Sequence, residues 1–282
     1  MVKLDKRLDA YRPDLADIAL RGQVDAVKFV DGIKMSVCVP ALALRAEPDV
    51  SFGFLTQSLL GDEVEVFEQK DGWAWVKMLK DGYVGYVDLS GLTEQYSAPT
   101  HQIKAPSTFI YPKPDLKSQP ALRVFLNSYL TIVSSQGDWS ELAQGGFIYT
   151  THIAPLATVN LNNVESDPVA IAEKFINVPY LWGGNTSNGL DCSALVQQAY
   201  HACGLDCPRD SDMIESEIGE QGHNSLRRGD LVFWDGHIGM MTDAQNLIHA
   251  NGHHMAVVVE DFKTAEQRIN KTYGSRARFK RP

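Results

Sequence analysis

Two stretches of the chain repeat the same order of short β-prone runs separated by turn residues. The first covers residues 35–92; in the weaker second copy Trp139 matches Trp73 at an offset of 66, and Phe147 matches Tyr83 at an offset of 64. Short strands at this spacing are typical of a small antiparallel barrel, and a fixed offset indicates internal duplication. The sequence therefore predicts two barrels, the second with a two-residue deletion before its last strand.

The segment ahead of the repeat has apolar residues at helical spacing. Leu15, Ile18 and Ala19 follow Pro13 in this pattern, which predicts one short helix in an N-terminal lead-in. Because a chain of 282 residues commonly holds two or three compact units, we divide it where the pattern changes. The predicted division is a helical lead-in over residues 1–30, a first barrel over 31–95, a second barrel over 96–160 and a last domain over 161–282.

The last domain changes from helical to strand-like patterns along its length. Apolar side chains recur at helical spacing over residues 168–175 and 190–202. Strand-like apolar runs then follow at residues 230–234, 238–241, 246–249 and 255–259. Helices first and strands afterwards predict an α+β domain with an antiparallel sheet.

Charge and cysteine content narrow the class of protein. The net charge of −9 is unlike the basic surface that binds a phosphate backbone, so we expect no nucleic-acid partner. Four cysteines in a chain of this length do not form a disulfide framework. The chain as given has no signal-peptide pattern and no apolar run of transmembrane length. We expect a cytoplasmic protein with reduced thiols and no membrane attachment, and we expect a monomer.

One cysteine has the sequence context of a nucleophile. Cys192 follows Asp191 and opens a predicted helix, with Asp191 able to cap the helix N-terminus. The unpaired amides and partial positive charge at that position favour a thiolate over a thiol. A buried structural cysteine is the alternative for any single cysteine, and two histidines later in the chain weigh against that alternative.

These two histidines are placed symmetrically about a predicted turn. His237 and His249 each lie six residues from Asp243. A hairpin centred near Asp243 would place both imidazoles on one face of the sheet, because equal distances from the turn preserve side-chain sidedness. Such a pair supplies a general base, His237, and a residue that holds its tautomer, His249. Together with Cys192 they form a candidate cysteine-peptidase triad.

Several segments carry a closer resemblance to known families. Residues 179–184 read PYLWGG, 189–196 read GLDCSALV, 228–234 read RGDLVFW and 237–240 read HIGM. In type, order and spacing these segments resemble the NlpC/P60 cysteine peptidases, and the match covers roughly residues 165–282. The run GYVGYV at residues 82–87 resembles bacterial SH3 (SH3b) domains. The resemblance implies two small all-β SH3b barrels followed by an α+β, papain-like NlpC/P60 domain.

The family resemblance also implies an activity. Members hydrolyse cell-wall peptides, typically between γ-D-glutamate and a diamino acid, with a Cys/His/His site that here corresponds to Cys192, His237 and His249. Two SH3b modules ahead of the peptidase domain are similar to the branch of γ-D-glutamyl-L-diamino acid endopeptidases in murein-peptide recycling. That branch requires a free N-terminal L-alanine, as in L-Ala-γ-D-Glu-meso-diaminopimelate (meso-DAP), and its first SH3b module closes one end of the cleft.

The same branch implies which side chains contact the substrate. The matching positions in the peptidase domain are Tyr180, Asp191, Ser193 and Ser211. Trp182 precedes the nucleophile segment, and we interpret it from this position as a residue that lines the cleft. In the first SH3b module Glu47 and Tyr83 are the candidates for contact with the substrate amine, because a carboxylate facing an ammonium forms a charge-assisted hydrogen bond. The alternatives are a solvated loop carboxylate for Glu47 and a barrel-core aromatic for Tyr83.

Other functions and a metal site are the remaining alternatives. The chain could instead be an exported hydrolase of intact peptidoglycan stems, or a catalytically inert murein-binding protein. His201, Cys203 and Cys207 superficially offer zinc ligands, but their spacing is not a strong metal signature. We therefore interpret these cysteines as packing residues and expect no cofactor.

Overall fold

A computed structural model of the chain describes residues 4–95, 97–159, 167–221, 225–274 and 276–282. The chain divides into two compact units, Met1–Ile153 and Ala154–Pro282. The predicted start of the last domain, residue 161, lies outside the described residues. None of the described helices combines the length and the apolarity needed to cross a membrane.

In its described residues, the first β module of the N-terminal unit contains nine strands. They are β1 Leu15–Asp17, β2 Lys28–Val30, β3 Ile33–Val37, β4 Ala41–Leu44, β5 Thr56–Leu59, β6 Glu63–Lys70, β7 Trp73–Met78, β8 Val84–Asp88 and β9 Leu92–Thr93, with 3-10 helices at Ile18–Leu20 and Leu89–Gly91. One antiparallel sheet has the order β8-β7-β6-β3-β9, and β4 pairs with β5. Asp71 and Gly72 between β6 and β7 both have positive φ, 50° and 82°, as a two-residue type I′ turn requires.

The predicted N-terminal helix is wrong. Leu15 lies in β1, which pairs in parallel with β2, and only a three-residue 3-10 helix follows. Leu15 and Ala10 are buried in a cluster with Phe67, Trp75 and Val84. Because a helix of a few residues is marginal in water, burial of these side chains against the sheet outweighs the helical spacing. The segment is therefore part of the first module.

A second β module follows in the same unit. Its strands are β10 His101–Ile103, β11 Ser107–Ile110, β12 Leu122–Phe125, β13 Tyr129–Leu130, β14 Ile132–Gln136, β15 Trp139–Leu142, β16 Phe147–Tyr149 and β17 Ile153–Pro155, with a 3-10 helix at Thr150–His152. β10 pairs with β13, β11 pairs with β12, and β14, β15 and β16 form an antiparallel sheet. The module has its own core, formed by Ile103, Ile110, Val124, Leu130, Leu142, Ile148 and Ile153.

The first three-quarters of the two modules are related by one sequence offset. The strands β11, β12 and β15 begin at the same offset, 66, from β4, β5 and β7 respectively. After the next hairpin the offset falls to 61, as the 3-10 helices Leu89–Gly91 and Thr150–His152 show. The predicted duplication is thus confirmed, but the deletion is five residues rather than two.

The predicted match of Phe147 with Tyr83 is wrong for the same reason. Arg45 bridges to Tyr86, and Tyr111, which stands at the same offset from Arg45 as β11 from β4, bridges to Phe147. Phe147 therefore corresponds to Tyr86. The hairpin of the second module is shorter, because its last β15–β16 pair is Glu141 with Phe147. Sequence spacing alone does not show at which position a hairpin has fewer cross-strand residue pairs.

Where the structure describes it, the C-terminal unit combines five helices with an antiparallel sheet. Its elements are α1 Leu156–Val159, α2 Pro168–Glu173, β18 Asn185–Thr186, β19 Gly189–Leu190, α3 Cys192–Ala202, α4 Ser211–Glu217, β20 Glu220–Gln221, β21 Leu231–Trp234, β22 His237–Met241, β23 Asn246–Asn251, β24 Ala256–Asp261, α5 Phe262–Tyr273 and β25 Arg278–Arg281. The sheet order is β20-β25-β21-β22-β23-β24. The predicted helices at α2 and α3 and the four predicted strands β21 to β24 are confirmed.

Sequence analysis missed helix α5. Its ends carry ordinary signals, since Asp261 accepts a hydrogen bond from the Thr264 amide and Gly274 adopts a left-handed φ of 71°. Phe262, Ala265 and Ile269 of this helix pack against the sheet. An amphipathic helix therefore covers one face of β21 to β23, ahead of the last strand.

Candidate active site

Cys192 is the first residue of α3 and lies against the start of β22. Asp191 caps the helix, because its Oδ1 accepts a hydrogen bond of 2.9 Å from the Ala194 amide. α3 packs on β22 and β23, and the Cys192 thiol lies within hydrogen-bonding reach of the backbone amide of Ile238. Ile238 follows His237, so the cap and this contact hold the sulfur against the backbone of the strand that carries the first histidine of the hairpin.

The Cys192 thiol is protonated at neutral pH in the unliganded protein. Burial raises the pKa of Cys192 to about 12, and the charge of Asp191 acts in the same direction. The amides of Ile238 and Ser193 and the guanidinium of Arg209 act in the opposite direction but do not offset it. The helix N-terminus therefore does not by itself produce a resting thiolate, because removal from water penalises the charged form more strongly.

The hairpin brings the two predicted histidines together. His237 Nε2 lies 2.8 Å from His249 Nδ1. The pair Met240 with Ile248 centres the hairpin one residue after the predicted Asp243, so the continued register places Gly239, not His237, opposite His249. The two imidazoles still share a face, because residues two apart on a strand point to the same side.

Two further residues extend this pair, and sequence analysis missed both. His249 is fully buried, and its Nε2 lies 2.7 Å from Oε1 of Glu260 on β24. Arg268 on α5 donates to both oxygens of Glu260, at 2.7 Å from Nη1 and 2.6 Å from Nη2. The pairing of Glu260 with Leu247 sets the carboxylate next to His249 across the strands. The sequence alone does not reveal this contact, because it depends on the β23–β24 register and on the packing of α5.

The environment keeps both imidazoles neutral and the carboxylate charged. Burial lowers the pKa of His237 to about 3, and the charges of His249 and Arg268 add to the effect. Burial likewise lowers the pKa of His249, although Glu260 opposes it. For Glu260, burial acts to raise the pKa, but hydrogen bonds from Arg268 and His249 outweigh it and hold the pKa well below its usual range.

Asp191 and Ser193 belong to a buried network that sequence analysis did not foresee. Arg209, with 1% of its surface exposed, donates to both oxygens of Asp191 and to Ser193 Oγ at 2.7 Å. Ser193 Oγ also donates to Asp191 at 3.2 Å, and the Gly183 amide donates to the same carboxylate at 3.0 Å. The predicted substrate contacts Asp191 and Ser193 are therefore bound to each other and to Arg209 in the unliganded protein.

The remaining predicted contacts of this unit lie at different depths. Tyr180 is half-buried, and its amide donates to the carbonyl of Met255 at 2.9 Å. Trp182 is 69% exposed. Ser211 opens α4 and is half-buried.

Glu47 and Tyr83 belong to the N-terminal unit. Glu47 is exposed and follows β4. Tyr83 is 4% exposed and precedes β8, with its amide bound to Asp81 at 3.1 Å. The carboxylate of Glu47 is thus open to solvent, whereas the Tyr83 side chain is buried.

The cysteines and the other metal-binding residue types form neither a disulfide nor a metal site where the structure describes them. Within the described parts of the chain, no group of three or more His, Cys, Asp or Glu side chains has an arrangement that could hold a metal ion. All four cysteines, Cys38, Cys192, Cys203 and Cys207, are free thiols.

Comparison with known families assigns the domain that carries this site. Residues 177–273 match the NlpC/P60 family. The chain carries an NlpC/P60 domain. This domain includes Cys192, both histidines, Glu260 and Arg268. Residues 44–92, in the first β module, match the bacterial dipeptidyl-peptidase Sh3 domain.

Relatives and a solved structure cover more of the chain. A γ-D-glutamyl-L-lysine dipeptidyl-peptidase of Bacillus cereus is 26% identical over 230 residues, which are 69% of this chain and 66% of that protein. Dipeptidyl-peptidase 6 of Lysinibacillus sphaericus is 26% identical over 227 residues, 74% of this chain and 84% of that protein. A crystal structure of an NlpC/P60 family protein from Bacillus cereus has a TM-score of 0.73 at 22% identity, and the match covers 88% of this chain and 99% of that one. The likeness to the solved structure establishes a shared fold.

Proposed function

We propose that the chain is a cysteine endopeptidase that hydrolyses the bond between γ-D-glutamate and a diamino acid in murein peptides with a free N-terminal L-alanine. The diamino acid is meso-DAP or lysine. The observation that carries the proposal is the His237–His249 hydrogen bond together with a cysteine that opens a capped helix and contacts the Ile238 amide, one residue from His237. The NlpC/P60 domain and the relatives named as γ-D-glutamyl dipeptidyl-peptidases support it.

The proposed reaction begins from a neutral Cys192 thiol and a neutral His237 imidazole. As Sγ of Cys192 attacks the carbonyl carbon of the γ-D-glutamyl amide, His237 takes the thiol proton. His249 holds the His237 ring, and the backbone N–H of Cys192, in the first turn of α3, donates to the oxyanion. Proton transfer within the attack suits a site whose burial disfavours a resting thiolate and a resting imidazolium.

The acyl-enzyme then breaks down by hydrolysis. The C–N bond breaks as His237 returns its proton to the leaving amine of the diamino acid. A water molecule next gives a proton to His237 and attacks the acyl carbon; the C–Sγ bond breaks and Cys192 recovers its proton. The products are L-Ala-γ-D-Glu and the diamino acid, or a peptide that begins with it. The residues themselves supply the acid, the base and the nucleophile.

The proposed substrate contacts are the side chains that the family resemblance implies. Tyr180, Ser193 and Ser211 are the proposed polar contacts in the peptidase domain, together with Asp191, and Trp182 is a proposed apolar wall. Glu47, an exposed carboxylate of the first module, is the proposed partner of the substrate ammonium, and Tyr83 is a further proposed contact there. A carboxylate that pairs with a free amine explains selection against acylated peptides.

The remaining parts of the proposal concern architecture and setting. A helix that carries the nucleophile on a sheet that carries the base is a papain-like arrangement. The second β module repeats the strand order of the first, at an offset of 66 that falls to 61 after the β15–β16 hairpin, so we assign it as a second SH3b barrel that acts as a spacer. We propose that the protein acts as a cytoplasmic monomer on peptides released during cell-wall recycling.

A comparison of two substrates tests the proposal. Purified protein is incubated with L-Ala-γ-D-Glu-meso-DAP and with its N-acetyl derivative, and products are identified by mass spectrometry. We expect L-Ala-γ-D-Glu from the free peptide and little product from the acetylated one. Equal cleavage of both would favour a hydrolase of intact stems, and cleavage of neither would favour a murein-binding protein.

The role of Glu47 is tested with the same peptide. Glu47→Gln removes the charge that pairs with the ammonium, so we expect KM to rise about 10-fold or more, since a hydrogen bond to a charged group contributes about 1.5–3 kcal/mol. Glu94→Gln removes an exposed carboxylate at the end of the same module and is the matched control. Equal KM values for the two variants would remove Glu47 from the proposed site.

A further inference from the structure

An ordered row of polar side chains extends inward from His237. His237 Nε2 lies 2.8 Å from His249 Nδ1, and His249 Nε2 lies 2.7 Å from Glu260 Oε1. Arg268 then donates to both oxygens of Glu260. The proposed reaction uses the two histidines and assigns no role to Glu260 or Arg268.

At the carboxylate end of this row, the direction of the hydrogen bond between His249 and Glu260 is fixed. Glu260 is ionised, because two hydrogen bonds from Arg268 and one from His249 hold its pKa well below the usual range against the effect of burial. An ionised carboxylate only accepts hydrogen bonds. His249 Nε2 must therefore carry the hydrogen in the 2.7 Å contact, and in a neutral imidazole this leaves Nδ1 as a lone-pair acceptor.

The direction of the His249–Glu260 hydrogen bond also determines the direction of the hydrogen bond between His237 and His249. Two lone pairs do not form a hydrogen bond, so the 2.8 Å contact with His249 Nδ1 requires the hydrogen to lie on His237 Nε2. His237 is neutral in the unliganded protein, since burial lowers its pKa to about 3. The nitrogen of His237 without a hydrogen is then Nδ1, and this is the atom that can accept a proton from the thiol.

We propose that Glu260, held by Arg268, is a positioning residue that fixes the tautomers of His249 and His237 and so leaves His237 Nδ1 as the basic nitrogen. The kinetic consequence rests on the proposed peptidase function, but the tautomers themselves are a property of the resting protein. The negative charge of Glu260 also opposes the effect of Arg268 on His237. It thereby favours the imidazolium that forms during the attack.

A purely structural role for the same ion pair makes a different prediction. Glu260 on β24 and Arg268 on α5 would then only join the helix to the sheet. The same domain contains a second bidentate pair of this kind, in which Arg228 contacts Glu173 at 2.9 and 3.1 Å. Removal of the Glu173 carboxylate is therefore a matched control for the loss of an ion pair between two elements.

The tautomers are read directly from the resting protein. Nitrogen-15 NMR of the histidine rings, without substrate, is compared for the wild type, Glu260→Ala, Glu260→Gln and Glu173→Gln. We expect His237 protonated on Nε2 in the wild type and in Glu173→Gln, and a mixture of tautomers in Glu260→Ala. The glutamine of Glu260→Gln keeps an acceptor oxygen and retains the wild-type tautomer. A wild-type His237 with its hydrogen on Nδ1 would overturn the proposal.

Kinetics with L-Ala-γ-D-Glu-meso-DAP measure the consequence. We expect Glu260→Ala to lower kcat about 10- to 100-fold with KM changed less than about twofold, since a misdirected base affects the proton transfer and not binding. Glu260→Gln loses less activity, and Glu173→Gln keeps the wild-type kcat. Wild-type kcat in a folded Glu260→Ala variant would overturn the proposal. If the wild type fails to cleave the peptide, the proposed function is wrong, and the NMR result still decides the tautomers.

Discussion

The guanidinium of Arg209 is paired with both oxygens of Asp191, at 3.0 Å from Nη1 to Oδ1 and 2.6 Å from Nη2 to Oδ2. The pair is buried, since 1% of Arg209 and 8% of Asp191 are exposed. Asp191 also caps the helix that begins at Cys192. The ion pair thus fixes the N-terminus of α3, and with it the position of the thiol.

The first prediction follows from the burial of this pair. Arg209→Met leaves the Asp191 charge without its partner in a site with little water, so we expect a loss of about 3–5 kcal/mol in the free energy of unfolding by urea. Arg228→Met is the matched control, because Arg228 is 39% exposed where it pairs with Asp167 and Glu173. Its loss is expected to be about 1 kcal/mol or less. Equal losses in the two variants would contradict this account of Arg209.

A second prediction concerns the glycine opposite His249. A Cβ at Gly239 would lie 2.8 Å from Cδ1 and 3.0 Å from Cγ of Leu247, and 3.2 Å from Cβ of His249. We expect Gly239→Ala to lower the free energy of unfolding by about 1–3 kcal/mol through overpacking. It should also lower kcat, because the strand that holds His249 must shift. Gly252→Ala, where a Cβ meets no atom within 4 Å, should change neither quantity. Equal changes of stability and kcat in the two variants would contradict the claim that Leu247 and His249 leave no room for a side chain at Gly239.

The protonation state of the nucleophile gives a third prediction. Because burial raises the pKa of Cys192 to about 12, its alkylation by iodoacetamide in the substrate-free protein should still accelerate above pH 9. A free cysteine peptide, with a pKa of about 8.5, approaches its plateau there. Peptide mapping by mass spectrometry separates Cys192 from the other three thiols. If the alkylation rate of Cys192 reached a plateau below pH 8, the thiol would be a resting thiolate, and the proposed start from a neutral thiol and a neutral imidazole would be wrong.

A fourth prediction concerns stability in acid. The folded-state pKa of His237 is lowered to about 3 and that of His249 is also lowered, so below pH about 6.5 the unfolded chain binds more protons than the folded one. Stability is therefore greatest above pH 6.5 and falls as the pH drops, by up to about 1.4 kcal/mol per pH unit for each histidine. Urea unfolding at pH 7 and pH 5.5 measures the slope. His237→Gln should have a smaller slope, and an unchanged slope would refute the assignment to His237.

Local signals in the sequence were sufficient to place Cys192 and the two histidines, but not the side chains that extend the histidine pair or pair with Asp191. The helix that opens at Cys192 and the hairpin that joins the two histidines depend on neighbouring residues, and both were predicted. Glu260 and Arg268 reach His249 only through the β23–β24 register and the packing of α5, which are long-range features. The cationic partner of Asp191 likewise lies 18 residues away, beyond the end of α3.

The N-terminal unit shows the same limit. The offset of 66 between the modules was visible from Trp73 and Trp139, because each begins a strand after a two-residue turn. The correspondence of Tyr86 with Phe147 was not visible, because it depends on how many cross-strand residue pairs each hairpin has. Leu15 was assigned to a helix, and burial in the neighbouring module placed it in a strand instead.

The most direct test of the central claim is the hydrolysis of L-Ala-γ-D-Glu-meso-DAP by three proteins. Wild type, Cys192→Ala and Cys203→Ala are incubated with the peptide, and L-Ala-γ-D-Glu is quantified by mass spectrometry. Cys203 is half-buried at the far end of α3, so its alanine variant controls for the loss of a thiol from the same helix. We expect product from the wild type and Cys203→Ala and none from Cys192→Ala. Unchanged turnover in Cys192→Ala would contradict the claim that Cys192 is the nucleophile.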